Sequence, residues 1–425
     1  MRGGRNRQVT KQPLIDSQNG NILLWNGEIF SSDLVNVNDD ENDGQNLLNK
    51  LSESTNQDIE IFLFKIFESI KGPYAFVFYE AKTDCIYFGR DRLGRRSLLI
   101  SLNEHNLTLS SVKIKPNKDS LIEMSEFEEL KANGIYKLNL KKEPILKVNL
   151  FEWKRLNETT NNNINKLSYY ENVTESTNYC LFDSISPFNE TLDEFNDNNF
   201  EQTVDTFFEK LKESVMRRVK NIPNFCKKCS HRDLKSHETI KFNSDLNNDF
   251  KCNHAKLAIL FSGGVDSTVL AALADLCLPL NEEIDLLNIA FEKQKNSVSN
   301  KTKKKRQDEE DDDDETINNL QNEYEKNDEF LVPDRISGLE SLKELNKNRK
   351  WNFVEINVTL DELRQEREFL IKNLLYPLST VLDDSIGCAL WFASRGQGFV
   401  RDNTNVKIPY TSNAEVLLLG IIIFN

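Results

Sequence analysis

At 425 residues the chain has room for about two to three domains. Its hydrophobic fraction of 38% is enough for real cores, and a net charge of −14 argues against nucleic-acid binding across the whole surface, which needs a basic stripe. Seven cysteines, an odd number scattered along the chain, fit a reducing compartment better than a disulfide framework. Met1 to Arg7 is basic but no apolar stretch follows it. The longest apolar run, Val416 to Phe424, is interrupted by Gly420 and is far short of the roughly 20 residues that span a bilayer. A cytoplasmic protein without membrane partners is the expectation.

Residues 1–150 alternate short apolar runs with turns, which is the pattern of short strands. Ile22 to Trp25 is predicted as a strand ending in Asn26-Gly27. Asp58 to Ile70 carries Ile59, Ile61, Phe62, Phe64, Ile66 and Phe67 and is predicted as a helix packed on a sheet. Tyr74 to Glu80 and Ile86 to Gly89 flank a polar turn and predict a hairpin. Leu107 to Val112 and Gly134 to Leu140 add strands. The sum is an α+β, layered-sandwich domain.

Over residues 151–200 the order signal fades, and Asn161-Asn162-Asn163 and Asn196 to Asn199 predict a solvated, polar linker. Phe200 to Val219 then predicts an amphipathic helix, with Val204, Phe207, Phe208, Leu211, Val215 and Val219 on one side. In residues 201–425, strand Ala255–Phe261, helix Thr268–Leu278, strand Ile284–Phe291, helix Gly338–Leu345 and strand Trp351–Val358 alternate. That order predicts an α/β, doubly wound parallel sheet, with its ligand at the carboxyl ends of the strands. Residues 293–330 interrupt it. Lys301 to Arg306 is basic and Asp308 to Glu315 is acidic, with no apolar residue in that acidic run, which predicts a disordered insert. As a nuclear localisation patch the basic cluster would be partly neutralised by its acidic neighbour.

Ser262-Gly263-Gly264-Val265-Asp266-Ser267 joins a buried strand to a helix start. Such a turn points backbone N–H groups at one spot, which also feels the positive end of the helix dipole. Two glycines admit close approach of an anion and two serine hydroxyls add donors. The bland alternative is a Gly-rich turn capped by Ser and Asp. The stretch lacks the Lys of a Walker A loop and the spacing of a dinucleotide fingerprint. It resembles the pyrophosphate loop, S-G-G-x-D-S, of ATP pyrophosphatases, which cut ATP between the α and β phosphates and adenylate a carboxylate or similar oxygen.

Upstream, Trp25-Asn26-Gly27-Glu28-Ile29-Phe30, Gly72 to Phe76 and Gly89 to Leu98 resemble, in order, the signature blocks of class II glutamine amidotransferases, which are N-terminal-nucleophile sandwiches. The resemblance implies that Asn26 and Gly27 donate to the oxyanion of glutamine hydrolysis. It also implies that Glu28 and Asp91 hold the head group. Read without it, Asn-Gly is a hairpin turn and Gly-Arg-Asp a turn with a surface ion pair. In that class the first residue is a Cys whose own α-amine is its base. Here Met1 is followed by Arg2, and the first Cys is Cys85. No glutaminase activity is expected of the chain as written.

An amidotransferase followed by a pyrophosphate-loop domain resembles the glutamine-dependent asparagine synthetases, and within them the asparagine synthetase domain-containing branch. Leu286 to Phe291, Val332 to Ile336, Trp351 to Val358 and Leu382 to Gly398 carry that closer likeness. It implies ATP-dependent amidation of aspartate to asparagine with glutamine or ammonia, using ATP and Mg²⁺. Ser262, Gly263, Gly264, Asp266 and Ser267 would form the phosphate cradle. Asp266 would orient the loop or help hold Mg²⁺, and Leu260, Ile289 and Gly420 would line the nucleotide pocket. The family's acidic G-x-G-x-D-E turn is not found after Ala414 to Gly420, which implies an incomplete or divergent domain. Asp383 and Asp384, the nearest carboxylate pair, read first as helix caps.

Cys226-x-x-Cys229, His231, His237, Cys252 and His254 form a possible zinc set in a polar segment, where a metal could supply order. The other reading is a loose loop with reduced thiols. Two other functions fit less of the sequence: a non-catalytic ATP-binding scaffold, and a pyrophosphate-loop enzyme acting on transfer RNA. The acidic charge and the amidotransferase half weigh against the last.

Overall fold

The computed structural model describes residues 10–37, 41–53, 58–113, 126–141, 146–153, 197–220, 222, 226, 229, 252, 254–293, 329–402 and 404–420. The chain divides into two compact units, one within residues 1–213 and the other within 214–424. Most of the 151–200 linker and of the 293–330 insert lies outside the described residues.

The first unit holds β1 (Leu14–Ile15), β2 (Ile22–Gly27), α1 (Asp43–Ser52), α2 (Ile59–Ser69), β3 (Tyr74–Glu80) and β4 (Cys85–Arg90). It continues with β5 (Leu99–Leu102), β6 (Leu107–Ser110), β7 (Glu128–Glu129), β8 (Gly134–Asn139) and β9 (Val148–Glu152). An antiparallel sheet runs β1-β2-β3-β4-β8-β9, and a smaller one runs β6-β5-β7. Alternation along β3 builds two cores. Tyr74, Phe76 and Phe78 pack with Leu47, Leu51, Leu63 and Phe67 of α1 and α2. Ala75 and Val77 pack on the other face with Ile100 of the small sheet and Leu98 just before it. The result is three layers: helices, large sheet, small sheet. Asn42 and Asp58 cap the two helices through their side chains.

Two differences from the sequence reading have local causes. Helix α1 carries only Leu47, Leu48 and Leu51 as large apolar residues among polar ones, too few to show a period. Strand β9 starts inside residues read as domain and ends inside the expected linker, because Ile135 and Leu138 of β8 give it a partner.

Helix α3 (Asp197–Val219) crosses the division between the units. Of its apolar stripe, Val215 and Val219 are buried whereas Val204, Phe207 and Phe208 are exposed.

The second unit holds β10 (Leu257–Leu260), α4 (Val265–Cys277), β11 (Ile284–Phe291), α5 (Pro333–Glu344) and β12 (Trp351–Val358). Then come α6 (Leu360–Glu366), a π-turn (Arg367–Ile371), α7 (Lys372–Leu375), α8 (Val381–Arg395), β13 (Gln397–Arg401), β14 (Lys407–Thr411) and β15 (Val416–Leu418). The sheet order is β14-β13-β12-β11-β10-β15. Strands β12, β11, β10 and β15 are parallel; β13 and β14 join antiparallel. The sheet is therefore mixed at one edge, where an all-parallel one was expected, because Gly396 ends α8 in a left-handed turn that leads directly into β13. Helices cover both faces. Phe392 and Ala393 of α8 pack on Leu287, Val354 and Ile356, while Gly338 of α5 lies against Asn288 and Phe353 of the opposite face. Helix α5 starts at Pro333, well before the expected Gly338, since proline at the first helical position loses no hydrogen bond.

Asp285 of β11 is buried and accepts from Tyr410 Oη and Asn352 Nδ2, both at 2.9 Å. Burial raises its carboxyl above the ordinary value of 3.8, and bonds from Ser412, Asn352 and Tyr410 only partly oppose this. The folded chain thus holds the proton more readily than the unfolded one, and the charged form subtracts stability above the folded pKa. Asp285→Asn is expected to raise the urea midpoint at neutral pH. That advantage should shrink as pH falls through the raised value toward 3.8. A midpoint lower than the parent's at pH 7 would contradict the account.

Candidate functional site

The Ser262–Ser267 turn sits at the carboxyl end of β10, between parallel neighbours β11 and β15. Gly263 has φ +83°. A Cβ there would fall 2.2 Å from the Ser337 carbonyl carbon and 2.3 Å from the Gly338 nitrogen of α5. Only glycine permits both the backbone angle and that approach. Helix α5 holds the turn from outside: Ser337 Oγ donates to the Ser262 carbonyl and Ser341 Oγ to the Gly263 carbonyl, each at 2.7 Å. The turn's carbonyls are thereby tied back. Gly264 is the N-cap of α4, and no side chain caps that helix start. Ser262, Gly264, Val265 and Asp266 are exposed. The open end of a helix dipole, carrying uncapped N–H groups, faces solvent.

The serine hydroxyls are less open than the sequence suggests. Ser267 is buried and donates to the Gly264 carbonyl at 2.9 Å, and Ser262 Oγ accepts from the Gly264 N–H at 3.3 Å. The donors facing out are main-chain N–H groups and the exposed Ser262 hydroxyl, whose O–H stays available while its oxygen accepts. Gly420, just past β15, lies beside Asp266: a Cβ on it would be 3.4 Å from the Asp266 Cβ and 3.0 Å from Leu270 Cδ1. Leu260 and Ile289 are half-buried in the apolar layer under α8.

A network absent from the sequence reading fixes the turn from behind. Asn288 Nδ2 donates to the carbonyls of Phe261 and Asp334, each at 2.8 Å. Arg335 is 1% exposed; its Nε donates to Asn288 Oδ1 at 2.5 Å, Nη1 to Glu355 Oε2 at 3.0 Å and Nη2 to Asn357 Oδ1 at 2.9 Å. Arg401 and Lys407 also reach Glu355, at 2.6 and 3.4 Å. The polar residues Asn288 and Glu355, set inside mostly apolar strands, were the signal for it.

Asp383 and Asp384 are engaged locally. Thr380 caps α8, accepting from the Asp383 N–H, and its hydroxyl meets Asp383 Oδ2 at 2.6 Å. Asp384 pairs with Arg367 at 2.7 Å. Their geometry is that of a helix start. Asp266, exposed and within the turn, is the carboxylate there that fits a hard, oxygen-seeking cation such as Mg²⁺.

In the first unit, Asn26, Gly27, Glu28 and Asp91 meet around the start of β3. Gly27 pairs with Tyr74 and Asn26 with Ala75. The Glu28 N–H donates to the Pro73 carbonyl at 2.9 Å. A Cβ on Gly27 would meet Trp25 and Tyr74 at 2.7 Å. Asn26 is exposed, with Nδ2 donating to Ser111 Oγ at 3.2 Å. Asp91 is buried, and its carboxylate accepts from the N–H groups of Tyr74, Leu93 and Arg95, each at 3.1 Å, and from Arg95 Nε at 2.9 Å. Arg90, also buried, donates to the carbonyls of Arg96, Leu130 and Gly94. Arg90 and Asp91 thus build the 91–95 turn, and a substrate ammonium would have to share the Asp91 carboxylate with it.

Cys226, Cys229, Cys252 and His254 also come together, with one ligand atom from each within 4.8 Å of all the others. His231 and His237 lie outside the described residues.

The comparisons with known proteins bear on both halves. A model described as a glutamine amidotransferase domain matches residues 5–115, so a domain of that class is present. Over 97% of this chain, the sequence is 35% identical to the asparagine synthetase domain-containing protein 1 of Gallus gallus, covering 69% of that protein. It is 34% identical to that of Homo sapiens, also over 97% of this chain, covering 68% of the relative. The chain belongs to the asparagine synthetase domain-containing protein family. Among solved structures, the glutamine phosphoribosylpyrophosphate amidotransferase of B. subtilis aligns with 34% of this chain and 32% of its own at 16% identity, with a TM-score of 0.25. No helix among the described residues is long and apolar enough to cross a membrane.

Proposed function

We propose that the second unit is an ATP pyrophosphatase-type domain that binds ATP on the Ser262–Ser267 turn, with Mg²⁺, and activates aspartate for amidation to asparagine. In that chemistry an aspartate carboxylate oxygen attacks the α-phosphorus and pyrophosphate leaves. Ammonia, free or released from glutamine, then attacks the acyl carbonyl and AMP leaves. The observation that carries the reading is the uncapped start of α4, held open by Gly263 against Ser337 and by the Ser337 and Ser341 hydrogen bonds. Main-chain N–H groups and the helix dipole would cradle the phosphates, with no reorganisation needed on binding. Asp266 would hold Mg²⁺, which supplies charge neutralisation on the leaving pyrophosphate. Gly420 would keep the wall beside Asp266 low. Asn26, Gly27 and Glu28 would serve the amide-donor side, in a cytoplasmic setting that suits reduced thiols.

The full chain is to be incubated with α-labelled ATP, Mg²⁺, aspartate and ammonium. AMP formation that depends on aspartate and ammonia is expected. ATP bound without any AMP would leave a nucleotide-binding scaffold in place of the ligase. AMP formation stimulated by RNA would favour a transfer-RNA substrate. Absence of ATP binding would sink the proposal.

A further inference from the structure

The second unit gathers three thiols and an imidazole that the nucleotide chemistry does not use. Cys226 and Cys229 follow α3, and Cys252 and His254 lead into β10. The three sulfurs and one ring nitrogen all lie within 4.8 Å of one another. Cys229 Sγ is 3.5 Å from His254 Nδ1. The Cys226 N–H donates to Cys252 Sγ at 3.2 Å, a contact that favours a sulfur carrying negative charge. None of the three cysteines is in a disulfide.

A tetrahedral zinc with Zn–S of about 2.3 Å and Zn–N of about 2.0–2.1 Å sets sulfur–nitrogen edges near ~3.6 Å and sulfur–sulfur edges near ~3.8 Å. The cluster is already on that scale. A disulfide would use two sulfurs and leave the third thiol and the imidazole without a purpose. Thiolate with imidazole is a donor set for zinc, not for Mg²⁺ or Ca²⁺. We propose that Cys226, Cys229, Cys252 and His254 bind one Zn²⁺ in a closed tetrahedral site.

Four protein ligands leave no open position, so the role is structural. The ion clips the residues after α3 to the entry of β10. On the far side of His254 the anchoring continues. Lys256 is buried and pairs with Glu282 at 3.2 Å, and its carbonyl accepts from the Glu415 N–H at 2.9 Å. The strand that ends in the Ser262 turn is thereby fixed at its start. This inference is independent of what that turn binds.

The test is elemental analysis of the full chain, purified without chelators from zinc-supplemented culture. About one zinc per chain is expected, lost in Cys226→Ser and in Cys252→Ser and kept in Cys277→Ser, a thiol outside the cluster. Replacing zinc by Co²⁺ in the unmutated chain is expected to give the visible absorption of tetrahedral thiolate cobalt, a reading that does not depend on any variant folding. A chain free of metal, zinc retained at one per chain in Cys226→Ser, or iron with acid-labile sulfide in place of zinc would each overturn the assignment.

Discussion

Gly263→Ala is expected to lower ATP affinity by about tenfold or more and to lower the melting temperature of the second unit. A non-glycine residue held at the φ of +83° found here costs roughly 1–3 kcal/mol by itself. The added Cβ then meets the Ser337 carbonyl carbon, the Gly338 nitrogen and the Ser337 oxygen at 2.2, 2.3 and 2.4 Å, all main-chain atoms that cannot step aside. Either the turn leaves α5, breaking the Ser337 and Ser341 hydrogen bonds, or α5 moves. Both open the cradle, and 1.4 kcal/mol is already tenfold in affinity. Gly264→Ala is the comparison. Its φ is −65°, and a Cβ there meets only Ser262 Oγ, at 3.4 Å. That variant is expected to melt with the parent, so any loss of ATP affinity in it reports crowding of the ligand, not collapse of the turn. Titration calorimetry with ATP and thermal melting of both variants check this. Parent-like ATP affinity in Gly263→Ala would remove the turn from the binding site.

Arg335→Met is expected to destabilise the second unit by about 3–5 kcal/mol, the usual consequence of removing one partner from a buried ion pair. Glu355 keeps Arg401 and Lys407, which places the effect toward the lower end. The loss extends past charge. Asn288 loses the donor that orients its side-chain oxygen, while its nitrogen is what fixes the Phe261 carbonyl one residue before the turn. Arg335→Lys keeps the charge but loses the planar fork, and an intermediate loss is expected. Urea unfolding of the full chain, followed by hydrogen exchange to assign the transition to its unit, gives the comparison. A loss below about 1 kcal/mol in Arg335→Met would show the network to be replaceable by packing alone.

The parts of this chain legible in its sequence are those where local pattern and tertiary setting agree. Ile284–Phe291 and Trp351–Val358 are strands over the span read from sequence, because both are mostly apolar and run through the sheet interior. Tyr74–Glu80 reads as a strand because its two faces feed two cores. The turn at Gly263 was visible as a motif, but the reason it must be glycine was not: Ser337 arrives from far along the chain. Asp91 likewise read as a head-group ligand by resemblance, whereas its contacts with Tyr74, Leu93 and Arg95 depend on how β3 and β4 pair. The antiparallel pair β13–β14 escaped notice since Gln397–Arg401 and Lys407–Thr411 are short, each is interrupted by a strand-weakening residue (Gly398, Pro409), and they gain their place from Glu355 and its strand.

The register of β15 has a consequence for the order in which this chain matures. Leu257, Ala258 and Ile259 pair on one side with Ile284 to Leu286 and on the other with Val416 to Leu418. The strand beneath the Ser262–Ser267 turn is therefore an edge until β15 has emerged from the ribosome. Closing so long a loop is among the slow, late steps of folding. During synthesis the turn is present with one wall missing, since Gly420, two residues past β15, comes with that strand. Nascent chains halted between Val358 and Glu415 are thus expected to have both glycines of the turn and to bind ATP more weakly than chains that include β15.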